Sequence, residues 1–368
     1  MKLFPAIRYK VFCSLGQTKN VFHFYLGYGI GNQFNNLFIF VFFVSIQSMK
    51  TKSIFLIIFV IFYSNLQAQK SMIAPAYLKK GDTIAIVATA RKNIDDNLKP
   101  AIDWLHNWGL EVVIGSTIGL DNNQLAGTDQ ERAKDFQTQL DNPNIKAIWC
   151  VRGGYGTVRM IDMLDFTKFK KSPKWIIGFS DVTVLHSHLT TLGYQSIHAI
   201  MPISSKASEE AKETLRKSLF GESLTYKVEC DPMNRFGKAK GILVGGNLSI
   251  LYSLLGSKLA IDCTDKILFI EDLDEYLYHI DRMLINLKRN GCLESLKGIV
   301  VGGMTKMKDN DIPWGKNALE IIDDVTKNLK IPIIYNFPAG HMADNRALIM
   351  GCQVSLEASF EESKLIFD

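Results

Sequence analysis

Apolar and polar positions fall in blocks along the first half of the chain, and the blocks predict strands and helices in turn. Thr83–Ala90 (TIAIVATA) is a short apolar run rich in β-branched residues, the pattern of a buried strand. Leu98, Ile102 and Leu105 follow at helical spacing, and Gly109 is placed to end that helix. Leu110–Ile114 predicts the next strand. Thr128-Asp129-Gln130-Glu131 reads as a capping box, with Ala133, Phe136 and Leu140 continuing one apolar face and Pro143 beyond it. Ala147–Val151 (AIWCV) is a strand that runs into Arg152-Gly153-Gly154-Tyr155-Gly156. Trp175–Gly178 is another, running into Phe179-Ser180-Asp181 and a helical stretch, Val182–Leu192, with Gly193 at its end. Such alternation predicts a parallel sheet with helices on both faces.

Residues 206–235 are more charged and less regular, which fits a short helix and a crossover between domains. Beyond them come Gly241–Gly246, Asn247–Leu255 and the strand-like Lys266–Glu271 (KILFIE). Strands and helices mix here without a clear alternation, so an α/β domain is expected but not its topology.

The leader carries a different pattern. Lys50 and Lys52 precede Ser53–Tyr63 (SIFLIIFVIFY), and Asn65-Leu66-Gln67-Ala68-Gln69 forms a polar, small-residue exit. Residues 49–69 therefore read as a secretory signal peptide. Eleven apolar residues fall short of the ~20 that a permanent span needs. Residues 1–48 then read as a misassigned start, with translation beginning at Met49 and export to the periplasm expected. The alternative is an uncleaved membrane anchor or hairpin built from Leu37–Ser45 and Ser53–Tyr63. A lipoprotein is disfavoured, because no Cys follows the apolar run.

Composition refines this reading. The 368 residues, 47% hydrophobic and 21% charged, allow roughly two domains of about 150 residues and exclude general disorder. The formal charge of +5 belongs to the leader: residues 1–69 hold six Lys/Arg and no Asp or Glu, so the remainder has 36 basic against 37 acidic residues. No clustered basic face is present, and nucleic acid is not an expected partner. After the leader remain Cys150, Cys230, Cys263, Cys292 and Cys352. None forms a C-x-x-C pair, and the odd count argues against a full disulfide framework.

The strongest chemical signal is Gly178-Phe179-Ser180-Asp181-Val182, a serine between an apolar strand and a helix. That is the setting of a nucleophile elbow, although Val182 stands where G-x-S-x-G has its second glycine. Ser is also a preferred helix N-cap, so the local pattern leaves both roles open. The glycines of the 152–156 loop permit close backbone approach to a ligand, and their N–H groups are candidate oxyanion donors; an ordinary βα turn is the plainer reading. As general base, His186 and His188 lie on the helix after Ser180 and suit packing better, and His106 has no obvious acid beside it. His198 and His279 complete the candidates. His341 sits in a loop-like stretch, Asn336–Asn345, where functional groups concentrate. Glu271 and Asp272 leave the end of a buried strand and are plausible orienters of a base.

Taken together these residues resemble the L,D-carboxypeptidases (muramoyltetrapeptide carboxypeptidases, peptidase family S66), over nearly the whole chain after the leader. The marks are the Arg152–Gly156 loop, Gly178-Phe179-Ser180-Asp181, and Gly245-Gly246-Asn247-Leu248-Ser249. Phe269-Ile270-Glu271-Asp272, Tyr278-His279-Ile280-Asp281-Arg282-Met283-Leu284 and Gly340-His341 with Asn345 complete them. The resemblance implies Ser180 as nucleophile, His341 as base and Glu271 as its carboxylate partner. It implies an oxyanion hole from the N–H groups of Asp181 and of Gly153 or Gly154. It also implies a flavodoxin- or amidotransferase-like first domain (70–205), a linker (206–235) and a smaller swivelling β/β/α-type second domain (236–368). A homodimer, no cofactor, no metal, and a peptidoglycan-derived tetrapeptide cleaved before its terminal D-Ala complete the expectation. For the substrate's free carboxylate, Arg152, Arg282 and Arg346 are candidates, since a planar guanidinium suits a carboxylate.

Departures from the family pattern leave the substrate open. His198-Ala199-Ile200-Met201-Pro202 stands where His-Gly-Pro is frequent, and Ala347-Leu348-Ile349-Met350-Gly351 lacks a proline often found there. Ala88-Thr89-Ala90-Arg91 replaces a Ser-Pro-like pair. The alternatives are a microcin-immunity-like peptidase acting on a peptidyl-nucleotide and a catalytically silent peptide-binding homologue.

Overall fold

In the computed structural model the described residues are three N-terminal strands and residues 72–368, apart from 94–96 and 205. The strands β1 (Lys10–Ser14), β2 (His23–Ile30) and β3 (Gln33–Ile39) form an antiparallel meander within a unit of their own, residues 1–70. The signal-peptide segment lies outside the described residues. Residues 71–368 form the second compact unit.

The alternation in the first half becomes β4 (Thr83–Val87), α1 (Lys99–Asn107), β5 (Glu111–Ile114), α2 (Asp129–Asp141) and β6 (Ile145–Cys150). The short helices α3 (Thr157–Met160) and α4 (Thr167–Lys171), then β7 (Trp175–Gly178), α5 (Thr183–Leu192) and β8 (Ser196–His198), complete the series. Strands β5, β4, β6, β7 and β8 lie side by side and parallel. Their side chains alternate between two buried clusters: Ile84 and Ile86 of β4 enter one, Ala85 and Val87 the other. Burial on both faces is what a continuous apolar run in a parallel sheet requires.

The next segment is α6 (Glu209–Phe220), β9 (Thr225–Glu229), β10 (Gly237–Asn247) and α7 (Leu248–Leu254). It continues through β11 (Ile267–Leu273), α8 (Leu277–Arg289), β12 (Gly298–Thr305), α9 (Ala318–Thr326) and β13 (Ile333–Ile334). The chain ends in β14 (Leu348–Met350), β15 (Gln353–Ala358) and β16 (Glu362–Phe367). From β10 to β13 strand and helix alternate cleanly, with β10, β11, β12 and β13 parallel. Strands β15, β16 and β9 extend that sheet in antiparallel fashion beyond β10. The alternation was hidden in the sequence by the long polar connection 306–317.

Two segments cross between the sheets. The 206–235 stretch, expected as a linker, buries Ala211, Leu215 and Leu219 of α6 in the cluster shared with the first sheet, while β9 closes the edge of the second. Strand β14 returns to pair antiparallel with β8, Leu348 opposite His198. One buried cluster holds Ile86 and Trp149 of the first sheet together with Leu243, Phe269 and Val300 of the second. The two domains therefore share a core, and the carboxyl ends of β7 and β11 face a common cleft.

Candidate active site

Strand β7 is wholly buried and delivers the chain to a sharp turn. Phe179 is still extended, but Ser180 has φ +62°, in the left-handed region that non-glycine residues rarely occupy. A single 3₁₀ turn, Ser180–Val182, then feeds α5. The N-cap positions of this turn and of α5 fall to Phe179 and Val182, not to Ser180, which leaves Ser180 the exposed-hydroxyl role of a strand–turn–helix serine. Gly178 is required here: its φ is +153°, and a Cβ on it would lie 2.8 Å from a Val182 methyl. Below the turn, His186 donates from Nε2 to the Gly178 carbonyl (2.9 Å) and accepts at Nδ1 from the Ser196 hydroxyl (2.8 Å). Burial pushes its pKa down to about 4, so it is a neutral support rather than a base.

The glycine loop lies against this turn. A Cβ on Gly153 would stand 2.9 Å from Ser180 Cβ, 3.0 Å from Ser180 Oγ and 3.2 Å from the Asp181 nitrogen. Only glycine lets the backbone come so near the hydroxyl. The Asp181 carboxylate turns inward and accepts from Thr157 N (2.8 Å), tying the turn to the start of α3. Burial raises its pKa.

The second domain supplies the other wall. The pairing of β11 with β12 shifts register between Ile270 and Asp272, a bulge that re-aims side chains at the strand end. Glu271 is wholly buried, and its Oε2 accepts from His341 Nδ1 at 2.6 Å and from His341 N at 3.2 Å. A carboxylate only accepts, so Nδ1 carries a proton, and in the neutral ring Nε2 is the nitrogen with the free lone pair. Gly340 must be glycine: φ is +105°, and a Cβ would lie 2.7 Å from both Cβ and Oε2 of Glu271. Asn345 accepts from Gly340 N (2.8 Å) and fixes the loop. Burial works against the His341 imidazolium, but the charge and hydrogen bond of Glu271, with Asp272 behind it, outweigh burial and leave its pKa raised. The Phe179 ring packs edge-on against His341 at 4.8 Å.

Asp272 takes a different path. It accepts from Asn247 Nδ2 (2.9 Å), Ser249 N (2.8 Å) and Leu273 N (2.8 Å). Burial and the Glu271 charge push its pKa up to about 7. The Gly245–Ser249 motif thus serves to pack the domains: Asn247 caps α7 and donates from its backbone to Thr183 Oγ1 (3.0 Å) on α5.

Ser180 and His341 line one cavity of about 430 Å³ with Gly153, Gly154, Asn247 and Ser249. Arg91 and Arg152 of the first domain also line it, as do Asp272, Asp274 and Glu275 of the second. Of the arginines expected for carboxylate binding, only Arg152 is here. Arg282 stacks over Tyr278 at 5.1 Å in a separate groove, and Arg346 pairs with Asp344 at 2.9 Å. Arg91 was missed, because a lone arginine after an apolar run carries no signal. Among the remaining histidines, His106 is exposed on α1, His188 packs on Phe166, His279 pairs with Glu275 and His198 is wholly buried. A disulfide, Cys263–Cys292, was also missed; the spacing of the cysteines gave no hint of it.

A left-handed serine between strand and helix, facing a cleft with a carboxylate-held histidine, is the equipment of a serine hydrolase on a two-domain α/β frame. Residues 84–199 match the LD-carboxypeptidase N-terminal domain and residues 240–356 the LD-carboxypeptidase C-terminal domain, and the chain belongs to this family. It is 34% identical over 293 residues to the probable murein peptide carboxypeptidase of Bacillus subtilis (strain 168), covering 77% of this chain and 92% of the relative. The crystal structure of muramoyltetrapeptide carboxypeptidase from Oxalobacter formigenes matches with a TM-score of 0.71 at 29% identity, over 77% of this chain and 98% of that one. The microcin C7 self-immunity protein of Escherichia coli is 25% identical over 331 residues, covering 79% of this chain and 94% of that protein.

Proposed function

We propose that the protein is a serine L,D-carboxypeptidase that removes the terminal D-Ala from peptidoglycan tetrapeptides, with Ser180 as nucleophile, His341 as general base and Glu271 as its orienter. The observation that carries this reading is the 2.6 Å Glu271–His341 bond on the wall of the cavity that Ser180 also lines. His341 Nε2 takes the Ser180 proton as Oγ attacks the carbonyl before D-Ala. The resulting oxyanion is received by the N–H groups of Asp181 and of Gly153 or Gly154. His341 then gives its proton to the departing D-Ala amine, and water hydrolyses the acyl-enzyme by the same route in reverse.

Export belongs to the same proposal. The signal-peptide pattern of residues 49–69 supports it, and so does the Cys263–Cys292 disulfide, a bond that persists in oxidising compartments. An exported enzyme meets cell-wall peptides, whereas a peptidyl-nucleotide is an intracellular substrate, so the murein reading is favoured over the microcin one. A homodimer is part of the reading and is checked by sedimentation velocity.

The test is release of D-Ala from a purified murein tetrapeptide, followed by mass spectrometry, with wild type and Ser180→Ala in parallel. Release by the wild type that is lost in Ser180→Ala supports the assignment. A folded wild type that releases nothing contradicts it.

A further inference from the structure

A carboxypeptidase must recognise a free carboxylate one residue beyond the bond it cuts, and the cleft that Ser180 lines also holds the cation of Arg91. We infer that Arg91 is the residue that binds the substrate's terminal carboxylate and so restricts the enzyme to the last residue of the peptide; this rests on the carboxypeptidase reading above.

The geometry comes from the glycine loop. Gly153 lies against Ser180, and Gly154 is the next residue, one Cα–Cα step of about 3.8 Å further on. The stem of Arg91 lies flat on Gly154: a Cβ there would fall 2.6 Å from Arg91 Cδ and 2.8 Å from Cγ. The scissile carbonyl carbon and the terminal carboxylate carbon of a peptide are separated by a similar step. A peptide whose carbonyl is held at Ser180 and which runs along the glycine loop therefore brings its carboxylate to the Arg91 side chain. The backbone of Arg91 is held as well, its N–H donating to the Gly153 carbonyl (3.4 Å). Both segments thus move with the turn that carries Ser180.

Three further observations select Arg91. Among the described residues its guanidinium has no hydrogen-bond or ion-pair partner, whereas Arg152 Nη1 donates to the Lys92 carbonyl at 3.0 Å. Arg282 and Arg346 lie outside the cavity. The second domain gives the lining three carboxylates, Asp272, Asp274 and Glu275, and no lysine or arginine, so the cations that can draw a substrate carboxylate into this cavity come from the first domain. A guanidinium offers a carboxylate two parallel N–H donors, which is geometric selection as well as charge.

The experiment compares a tetrapeptide ending in D-Ala with the same peptide ending in D-alaninamide, using the full chain as wild type, Arg91→Gln, Arg91→Lys and Arg152→Gln. Wild type is expected to prefer the free acid. Arg91→Gln is expected to lower kcat/KM on the free acid by roughly 100-fold, mainly through KM, the size of a lost charge-assisted hydrogen-bond pair. The preference for acid over amide then collapses toward one, and Arg91→Lys restores part of it. An unchanged preference in Arg91→Gln, an equal fall on both peptides, or a collapse confined to Arg152→Gln overturns the inference. If the wild type cleaves neither peptide, the hydrolase reading fails on its own. Arg91 is then judged by calorimetric binding of N-acyl-D-Ala: weaker binding by Arg91→Gln than by wild type upholds it, and equal binding overturns it.

Discussion

His341 is held by one wholly buried carboxylate, and two consequences follow at this scale. Its raised pKa means that the neutral, proton-accepting form is reached at a pH above the ordinary histidine value of 6.5. Activity should therefore rise with pH through a midpoint above 6.5, and Glu271→Gln should move that midpoint down while lowering kcat by roughly 10³–10⁴-fold. A pH–rate profile of both proteins checks this. The sign for stability is opposite: the His341–Glu271 attraction is fully present below the unfolded histidine pKa and is lost as pH rises through the raised one. Gly153 offers a sharper test, because its φ is ordinary and only its neighbours forbid a side chain. Gly153→Ala places a methyl 3.0 Å from Ser180 Oγ. The same methyl stands 2.9 Å from Ser180 Cβ, so Ser180 must shift to admit it; the variant should fold with a modestly lowered Tm and lose at least about 100-fold in kcat, the scale of a disrupted oxyanion donor. Near-normal turnover would remove the glycine loop from the mechanism.

At the scale of elements, the strand ends and the short connections after them do the positioning. The run from β7 into Ser180 and the run from β11 into Glu271 were legible in the sequence, because an apolar stretch ending in a polar residue is a local pattern. The His341 loop was legible too, as a polar stretch after an apolar run. Of the two arginines that share the cavity with Ser180, Arg152 was legible and Arg91 was not, since residue type alone points to Arg152, Arg282 and Arg346 and only the first of these reaches the cleft. Nor could local pattern show that β14, three residues long, leaves its own half of the chain to pair with β8. Long-range pairing of short strands carries no periodic signal. Asn247 shows the cost of breaking such an element junction. It caps α7 and donates to the buried Asp272. Asn247→Ala should cost about 2–3 kcal/mol, the sum of a lost cap and a partner removed from a buried carboxylate. Denaturant unfolding measures it.

For the whole molecule, the shared core fixes the two walls of the cleft against each other, and the disulfide braces the outer side of the second domain. Cys263 and Cys292 join the approach to β11 with the segment after α8, 29 residues apart. Removing the bond by Cys263→Ser with Cys292→Ser should lower stability by about 3–4 kcal/mol on chain-entropy grounds. Of the proposed triad, Ser180 and His341 are far along the chain from both cysteines, so turnover at low temperature should be little changed. Loss of turnover without loss of stability would show that the brace acts on the cleft itself.

The central claim is that Ser180, His341 and Glu271 act as one unit on a terminal D-Ala. The most direct test is the rate of D-Ala release from tetrapeptide by Ser180→Ala, His341→Ala, Glu271→Ala and their double combinations. A unit predicts strong non-additivity: either Ser180→Ala or His341→Ala alone should cost nearly as much as both together. Losses that multiply, or a His341→Ala protein that retains wild-type release, would contradict it.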